Sequence, residues 1–112
     1  MVVDVKFIGG DLNCLNNKEL EGNSFSTLEH IGGDIILAGT NFTKLPPNLK
    51  TVNGRGIVSR NDSADLIKAM NEAVIKGIIK GGFFFIEDLE NELGKSIISP
   101  LNHKDAKLIQ NK

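Results

Sequence analysis

The feature that most constrains the fold of this chain is a glycine-rich motif that recurs through its first half. Each copy has an aliphatic residue, two variable positions, a second aliphatic residue, a Gly-Gly or Asn-Gly pair and a short strand-like segment. Three segments carry the motif, namely residues 5–17, 28–40 and 49–61. The glycine pairs begin at Gly9, Gly32 and Asn53 and are 23 and 21 residues apart. That spacing is typical of leucine-rich-type repeats, in which each copy packs against its neighbours.

Within each copy the residues predict a sharp turn followed by a half-buried strand. Gly-Gly and Asn-Gly pairs readily adopt the positive φ that sharp turns require. After the pair, apolar and polar side chains alternate in the first copy, the pattern of a strand with one buried face. The predicted inward residues of the three copies are Leu12 and Cys14, Ile35 and Leu37, and Gly56 and Val58. Since the third copy has glycine at an inward position, it is predicted to end the array.

Polar residues and aromatic residues have separate predicted roles around these strands. Asn, Thr and Asp side chains follow each strand and can form hydrogen bonds with the turn backbone. Phe25 and Phe42 are predicted to fill the layer beneath the connecting arcs. The Pro46-Pro47 pair fixes two φ angles and removes two donors, which favours an extended arc.

The repeats also resemble a known family. Three segments resemble the degenerate leucine-rich-like repeats of tailed-phage and prophage proteins. They are FIGGDLNCLNN (residues 7–17), IGGDIILAGT (residues 31–40) and the LPPNL that follows (residues 45–49). The resemblance covers the first half of the chain. It implies a parallel-strand solenoid and a phage or mobile-element origin, and it brings no catalytic residues.

The second half predicts helices and short extended segments. Residues 63–80 have apolar residues at helical spacing, with Asp62 or Ser63 as N-cap and Gly81-Gly82 as the stop. This helix is interpreted as a cap on the repeats. The further expectations are a strand over 82–86, a helix over 87–93, an extended segment over 95–99 and a terminal helix over 103–111.

The fold prediction is therefore one α+β domain over residues 1–112. Residues 1–62 are expected to form a short leucine-rich-like β-solenoid of about three rungs. Residues 63–112 are expected to supply the amphipathic helix and a mixed C-terminal segment that caps it.

Net charge and composition limit the classes of partner that this chain is expected to bind. With 13 Lys and Arg against 14 Asp and Glu, the formal net charge is -1, so the basic excess of a nucleic-acid binder is missing. No apolar stretch is long enough for a membrane span, no signal-peptide pattern opens the sequence, and Cys14 is the only cysteine. A cytoplasmic location is expected, which for a phage-encoded protein is the host cytoplasm.

Reactive chemistry is not favoured. Cys14 with His30 or His103 would make a thiol-imidazole pair, but an inward cysteine more often acts as a small apolar residue. His30 is interpreted as a solvated arc residue and His103 as a surface residue. The sequence predicts no catalytic residue, no cofactor and no metal.

Two aspartates allow two interpretations. Asp11 and Asp34 take equivalent places in consecutive copies, where they can cap turn amides or hold a cation. Because Arg55 takes the same place in the third copy, turn capping is favoured, with Arg55 able to pair with Asp34.

The run Phe83-Phe84-Phe85 also leaves two interpretations open. It can be a strand buried between the helix and the repeats, or an exposed patch where another chain docks. The candidate partner-binding residues are Phe83, Phe84, Phe85, Arg55 and Arg60.

The favoured function is a non-enzymatic protein-binding module, and the resemblance points to a small phage-encoded inhibitor or modulator of a host or defence protein. The alternative is a self-associating structural scaffold. A third option is an enzyme that uses the acids Glu87, Asp88, Glu90 and Glu92, although these follow the pattern of a solvated face.

Overall fold

The computed structural model describes residues 3–93, and these residues form an α/β structure of two parallel sheets and two helices. The strands are β1 (Phe7–Ile8), β2 (Leu12–Asn13), β3 (His30–Ile31), β4 (Ile35–Ile36), β5 (Thr51–Val52), β6 (Gly56–Val58) and β7 (Phe83–Phe85). The helices are α1 (Ala64–Ile75) and α2 (Ile86–Leu93), and a short 3-10 helix covers Gly22–Phe25.

Each sequence repeat contributes one strand to each sheet. Sheet A has the order β1-β3-β5, sheet B has the order β2-β4-β6-β7, and all neighbours are parallel. The register places Leu12 beside Ile35, Ile35 beside Gly56 and Gly56 beside Phe83. The glycine pair of each repeat lies between its two strands, so the pair forms the corner at which the chain passes from one sheet to the other.

A fourth repeat follows the three that the sequence predicts. Ile79 forms a parallel bridge with Val52 of sheet A, and β7 pairs with β6 in sheet B. Gly81 therefore takes the place of Gly54 at the corner of this fourth repeat, and Gly82 takes the place of Arg55. The third copy does not end the array, contrary to the prediction, and α1 is the connection between the third and fourth copies.

The predicted fold class is wrong. The prediction was an α+β domain in which residues 1–62 form a leucine-rich-like β-solenoid of about three rungs and residues 63–112 form a separate capping segment. The structure instead has an α/β arrangement, because β7 extends the same parallel sheet and α1 joins two of its strands. The predicted helix over residues 63–80 was interpreted as a cap, but pairing of β7 with β6 makes α1 a crossover between parallel strands.

Helix α1 begins as predicted and ends earlier than predicted. The Ser63 hydroxyl accepts a hydrogen bond from the Leu66 amide at 3.0 Å, the interaction expected of an N-cap. Leu66, Met70 and Ala73 are buried, which confirms the predicted apolar face. The helix stops at Ile75 rather than at residue 80, because Gly77 takes a left-handed conformation with φ of 82°.

Strands β2, β4 and β6 of sheet B are buried on both faces, whereas alternation predicted one. The predicted inward residues are buried, but so are Asn13, Ile36 and Ile57, at 1%, 0% and 0% exposure. Phe25 and Phe42 stack in the main core with ring centroids 6.2 Å apart, as predicted. On the opposite face a smaller apolar cluster is formed by Ile36, Ala38, Ile57 and Ile86, with Leu15 and Leu89 packed against it. Burial on two faces is characteristic of parallel sheets.

Two of the sequence predictions lie outside the described residues, namely the extended segment over 95–99 and the helix over 103–111. Between residues 3 and 93, no helix combines the length and apolarity needed to cross a bilayer.

Candidate functional site

The glycine corner is a close-packed column of backbone. Four glycines at equivalent positions of the corner are joined by amide-to-carbonyl hydrogen bonds of 2.8–2.9 Å, namely Gly10, Gly33, Gly54 and Gly81. A Cβ on Gly54 would lie 2.7 Å from the Gly33 carbonyl, and one on Gly81 would lie 2.6 Å from the Gly54 carbonyl. The predicted reason for these glycines is therefore wrong at Gly9-Gly10 and Gly32-Gly33, where φ is not positive. Gly32, Gly33, Gly54 and Gly81 are needed for close approach to the preceding repeat, and the corner has no room for a ligand.

The aspartates after the glycine pairs cap amides of the next repeat. The Asp34 amide donates to Asp11 Oδ1 at 2.6 Å, and the Arg55 amide donates to Asp34 Oδ1 at 2.6 Å. The Arg55 guanidinium also donates to Asp34 Oδ2, at 2.7 Å from Nη2. Turn capping and the Asp34–Arg55 pair are thus confirmed. Among the described residues, no three His, Cys, Asp or Glu side chains gather as a metal site would require.

Cys14 follows β2 of sheet B, whereas His30 lies in β3 of sheet A. Cys14 is 1% exposed, and burial raises the pKa of its thiol to about 12, so the thiol stays protonated at neutral pH. His30 belongs to β3, which corrects its assignment to an arc, and its Nδ1 lies 2.7 Å from Thr51 Oγ1. His103 is outside the described residues.

The three predicted phenylalanines form the last strand of sheet B. β7 pairs with β6 on one side, and no described strand pairs with its other side. The Phe84 side chain is exposed, at 38%, while Phe83 and Phe85 are half-buried and pack edge to face at 5.2 Å. Among the strands of residues 3–93 the run is therefore the open edge of sheet B, intermediate between the buried strand and the exposed patch that the sequence allowed.

Arg60 joins this strand to α2. Its guanidinium lies 4.3 Å from the Phe85 ring centroid, in cation-π geometry, and 2.5 Å from Asp88. The hydrogen bond with Asp88 raises the pKa of Arg60. Glu87 accepts hydrogen bonds from the Ser59 hydroxyl and the Arg60 amide. Four of the five candidate residues are thus brought together, and we call Phe83–Phe85 with Arg60 the aromatic edge.

Arg55 is not part of this group. It precedes β6, at the glycine corner, where Asp34 holds it, whereas Arg60 follows β6. No local sequence pattern separates the two arginines, because both flank the same short strand.

A polar cleft of about 500 Å³ lies where the chain leaves β2, β4 and β6. The residues that line it are Asn16, Lys18, Gly39, Thr40, Asn41, Phe42, Thr43, Ser59, Asn61, Asp62 and Ser63. Asp62 accepts hydrogen bonds from the Gly39 and Ser59 amides, which confirms the predicted role of such residues in turns. Asn16 has φ of 59°, a conformation that asparagine tolerates better than most residues.

A second cavity, of about 210 Å³, lies between these corners and α2. Leu15, Ala38 and Ile86 supply its apolar lining, and Glu87 and Glu90 supply carboxylates. Its remaining lining residues are Asn16, Gly39 and Ser59, which it shares with the polar cleft. We call this cavity the acidic groove. The sequence predicts Glu87 and Glu90 as part of a solvated face, or as acids of an enzyme in the third option. It does not predict this groove, because their position beside Leu15 and Ala38 depends on how α2 packs.

Comparison with protein-family models, with curated proteins and with solved structures finds no match to this chain.

Proposed function

We propose that this chain is a non-enzymatic protein-binding module that engages its partner through the aromatic edge. The observation that carries the proposal is the open side of β7, where Phe84 is exposed and no described strand forms a ladder with the backbone. Unpaired edge strands are templates for an added strand from another chain. The partner would supply an extended segment whose backbone pairs with β7.

The charge beside the edge indicates the chemistry of that segment. The sequence of α2 contains four acidic residues and no basic one. An apolar segment with basic flanking residues would therefore be attracted by charge and held by backbone pairing and by contact with Phe84.

The resemblance to phage and prophage repeat proteins extends this proposal. A phage-encoded module of this kind would bind a host or defence protein and inhibit or modulate it by covering a functional surface. That extension depends on the residues that carry the resemblance and on no feature of the aromatic edge.

Two matched substitutions test the proposal. Phe84→Glu places a charge on the open edge, and Phe7→Glu places the same charge on β1, where Phe7 is 66% exposed. Cross-linking in host extract, followed by affinity measurement with the purified partner, should show a partner retained by Phe7→Glu and lost by Phe84→Glu. A partner that binds Phe84→Glu as well as the unmodified chain would contradict the proposal.

Self-association is the second candidate function, since an open edge can also pair with a second copy. Light scattering over a range of concentrations separates the two functions. A dimer that Phe84→Glu dissociates and Phe7→Glu retains would favour the scaffold, whereas a monomer at all concentrations would exclude it.

A further inference from the structure

We infer that the acidic groove binds a basic side chain of the partner, with the alkyl stem on its apolar lining and the cationic head beside Glu87 and Glu90. This inference rests on the proposed protein-binding function and adds the residue type that the partner must present. It concerns a cavity that is separate from the backbone edge of β7.

The apolar part of the groove suits an alkyl stem. Leu15 is half-buried, while Ala38 and Ile86 are 1% and 7% exposed, so the lining is held in place by the small apolar cluster beneath it. Lysine and arginine characteristically lay their methylene groups on such surfaces and keep the charge at the polar end. A volume of about 210 Å³ accommodates one such side chain and excludes a folded element.

The charge of the groove is negative and is held in place. The Ser59 hydroxyl and the Arg60 amide donate to the two carboxylate oxygens of Glu87 and fix its orientation. Glu90 is half-buried and forms no ion pair with any lysine or arginine of residues 3–93. The lining residues include no cation, so within residues 3–93 the negative charge of Glu90 has no partner cation.

Alternatives to a basic side chain fit less well. An anionic group would meet two carboxylates, and a wholly apolar group would leave both of them facing it without compensation. A cation with an alkyl stem satisfies both halves of the groove. Charged hydrogen bonds to carboxylates are the stronger kind, which gives the site selectivity for charge as well as for shape.

The test uses the full chain and two small probes of the same shape. n-Butylguanidinium carries the stem and the charge, and n-butylurea carries the stem alone. Amide NMR spectra recorded during titration should show saturable shifts at the groove residues with n-butylguanidinium, with a Kd in the millimolar range typical of so small a ligand. n-Butylurea should give weaker binding, by about fivefold or more.

Glu90→Gln removes the charge with little change in shape, and Glu72→Gln makes the same change on the exposed surface of α1. We expect Glu90→Gln to weaken n-butylguanidinium binding by about fivefold and Glu72→Gln to leave it unchanged. Spectra of both variants without ligand show whether they are folded. Equal binding of the two probes, or equal binding by Glu90→Gln and the unmodified chain, would overturn the inference.

These outcomes are separate from those for the proposed function. If the groove binds no cation but Phe84→Glu still loses the partner, the groove inference fails and the protein-binding function stands. If the groove binds n-butylguanidinium but Phe84→Glu retains every partner, the function fails at the aromatic edge while the cation site stands.

Discussion

The two corners of each repeat differ in composition, since one consists of closely packed glycine backbone and the other of polar side chains. At the glycine corner, between the sheets, four stacked residues are glycine and the backbones are joined directly by hydrogen bonds. At the other corner, where the chain leaves sheet B, polar side chains line a cleft of about 500 Å³ and the neighbouring acidic groove. One corner excludes side chains, and the other presents them.

This difference separates the residues that hold the repeats together from those that can bind a ligand. A substitution at the glycine corner changes the distance between two backbones, so it affects the stacking of every later repeat. At equivalent positions the polar corner holds a different residue in each copy, for example Lys18, Asn41 and Asp62. Binding residues on segments held by a rigid scaffold are a common arrangement in proteins.

The largest expected effect comes from adding one methyl group at the glycine corner. Gly54→Ala would place Cβ 2.7 Å from the Gly33 carbonyl, so the stacked backbones must separate. We expect the free energy of unfolding to fall by about 3 kcal/mol or more. The measurement is urea denaturation followed by circular dichroism.

Gly9→Ala is the matched control, because its nearest contact would be the Phe7 ring at 3.6 Å, an ordinary van der Waals distance. It should change the free energy of unfolding by less than about 0.5 kcal/mol. Equal losses in the two variants would show that close stacking does not explain the glycine column.

The next largest effect is expected at Asp34, whose carboxylate caps the Arg55 amide and pairs with the Arg55 guanidinium. Asp34→Asn weakens the acceptor of the Arg55 amide and removes the charge that pairs with the Arg55 guanidinium. Since the Asp34 side chain is only 10% exposed, we expect a loss of about 2 kcal/mol in the free energy of unfolding.

Asp88→Asn breaks the other close Asp–Arg pair, in which both side chains are more than half exposed, at 56% and 52%. It should lower the free energy of unfolding by about 0.5 kcal/mol or less. Thermal denaturation of the two variants side by side measures the difference. A larger loss of stability in Asp88→Asn than in Asp34→Asn would show that the Asp34–Arg55 pair is not the stronger of the two.

The same contrast explains which parts of the fold the sequence could predict. Inward residues such as Leu12 and the cap at Ser63 follow from local patterns, and both are confirmed. The fourth repeat was not predicted, because α1 lengthens the spacing between Gly54 and Gly81 to 27 residues. Glycine can be required either for a positive φ or for close approach between two backbones, and a sequence alone does not show which of the two applies.

The candidate site was predictable only in part, for a related reason. The three consecutive phenylalanines and Arg60 are candidate binding residues from the sequence alone, and the structure brings them together. The open edge of β7 depends on strand order, and the acidic groove depends on how Ile86 and Leu89 pack against the small apolar cluster. Both are long-range properties that no local pattern contains.

The smallest expected effect, and the only one that depends on pH, comes from Glu87 at the polar corner. Partial burial by itself favours the neutral acid, but hydrogen bonds from the Ser59 hydroxyl and from the Arg60 amide outweigh it and lower the pKa of Glu87 below 4.5. A lowered pKa in the folded state means that ionised Glu87 stabilises the fold above its ordinary pKa, and that this contribution is lost as the pH falls through the lowered value. At pH 7, Glu87→Gln should therefore be less stable than the unmodified chain, by about 0.5 kcal/mol or less because the carboxylate is largely solvated. Urea denaturation at several pH values should show this gap closing below pH 4.5. A gap that stays constant down to pH 2 would mean that Glu87 stabilises α2 through its shape, and that the polar corner gains nothing from its charge.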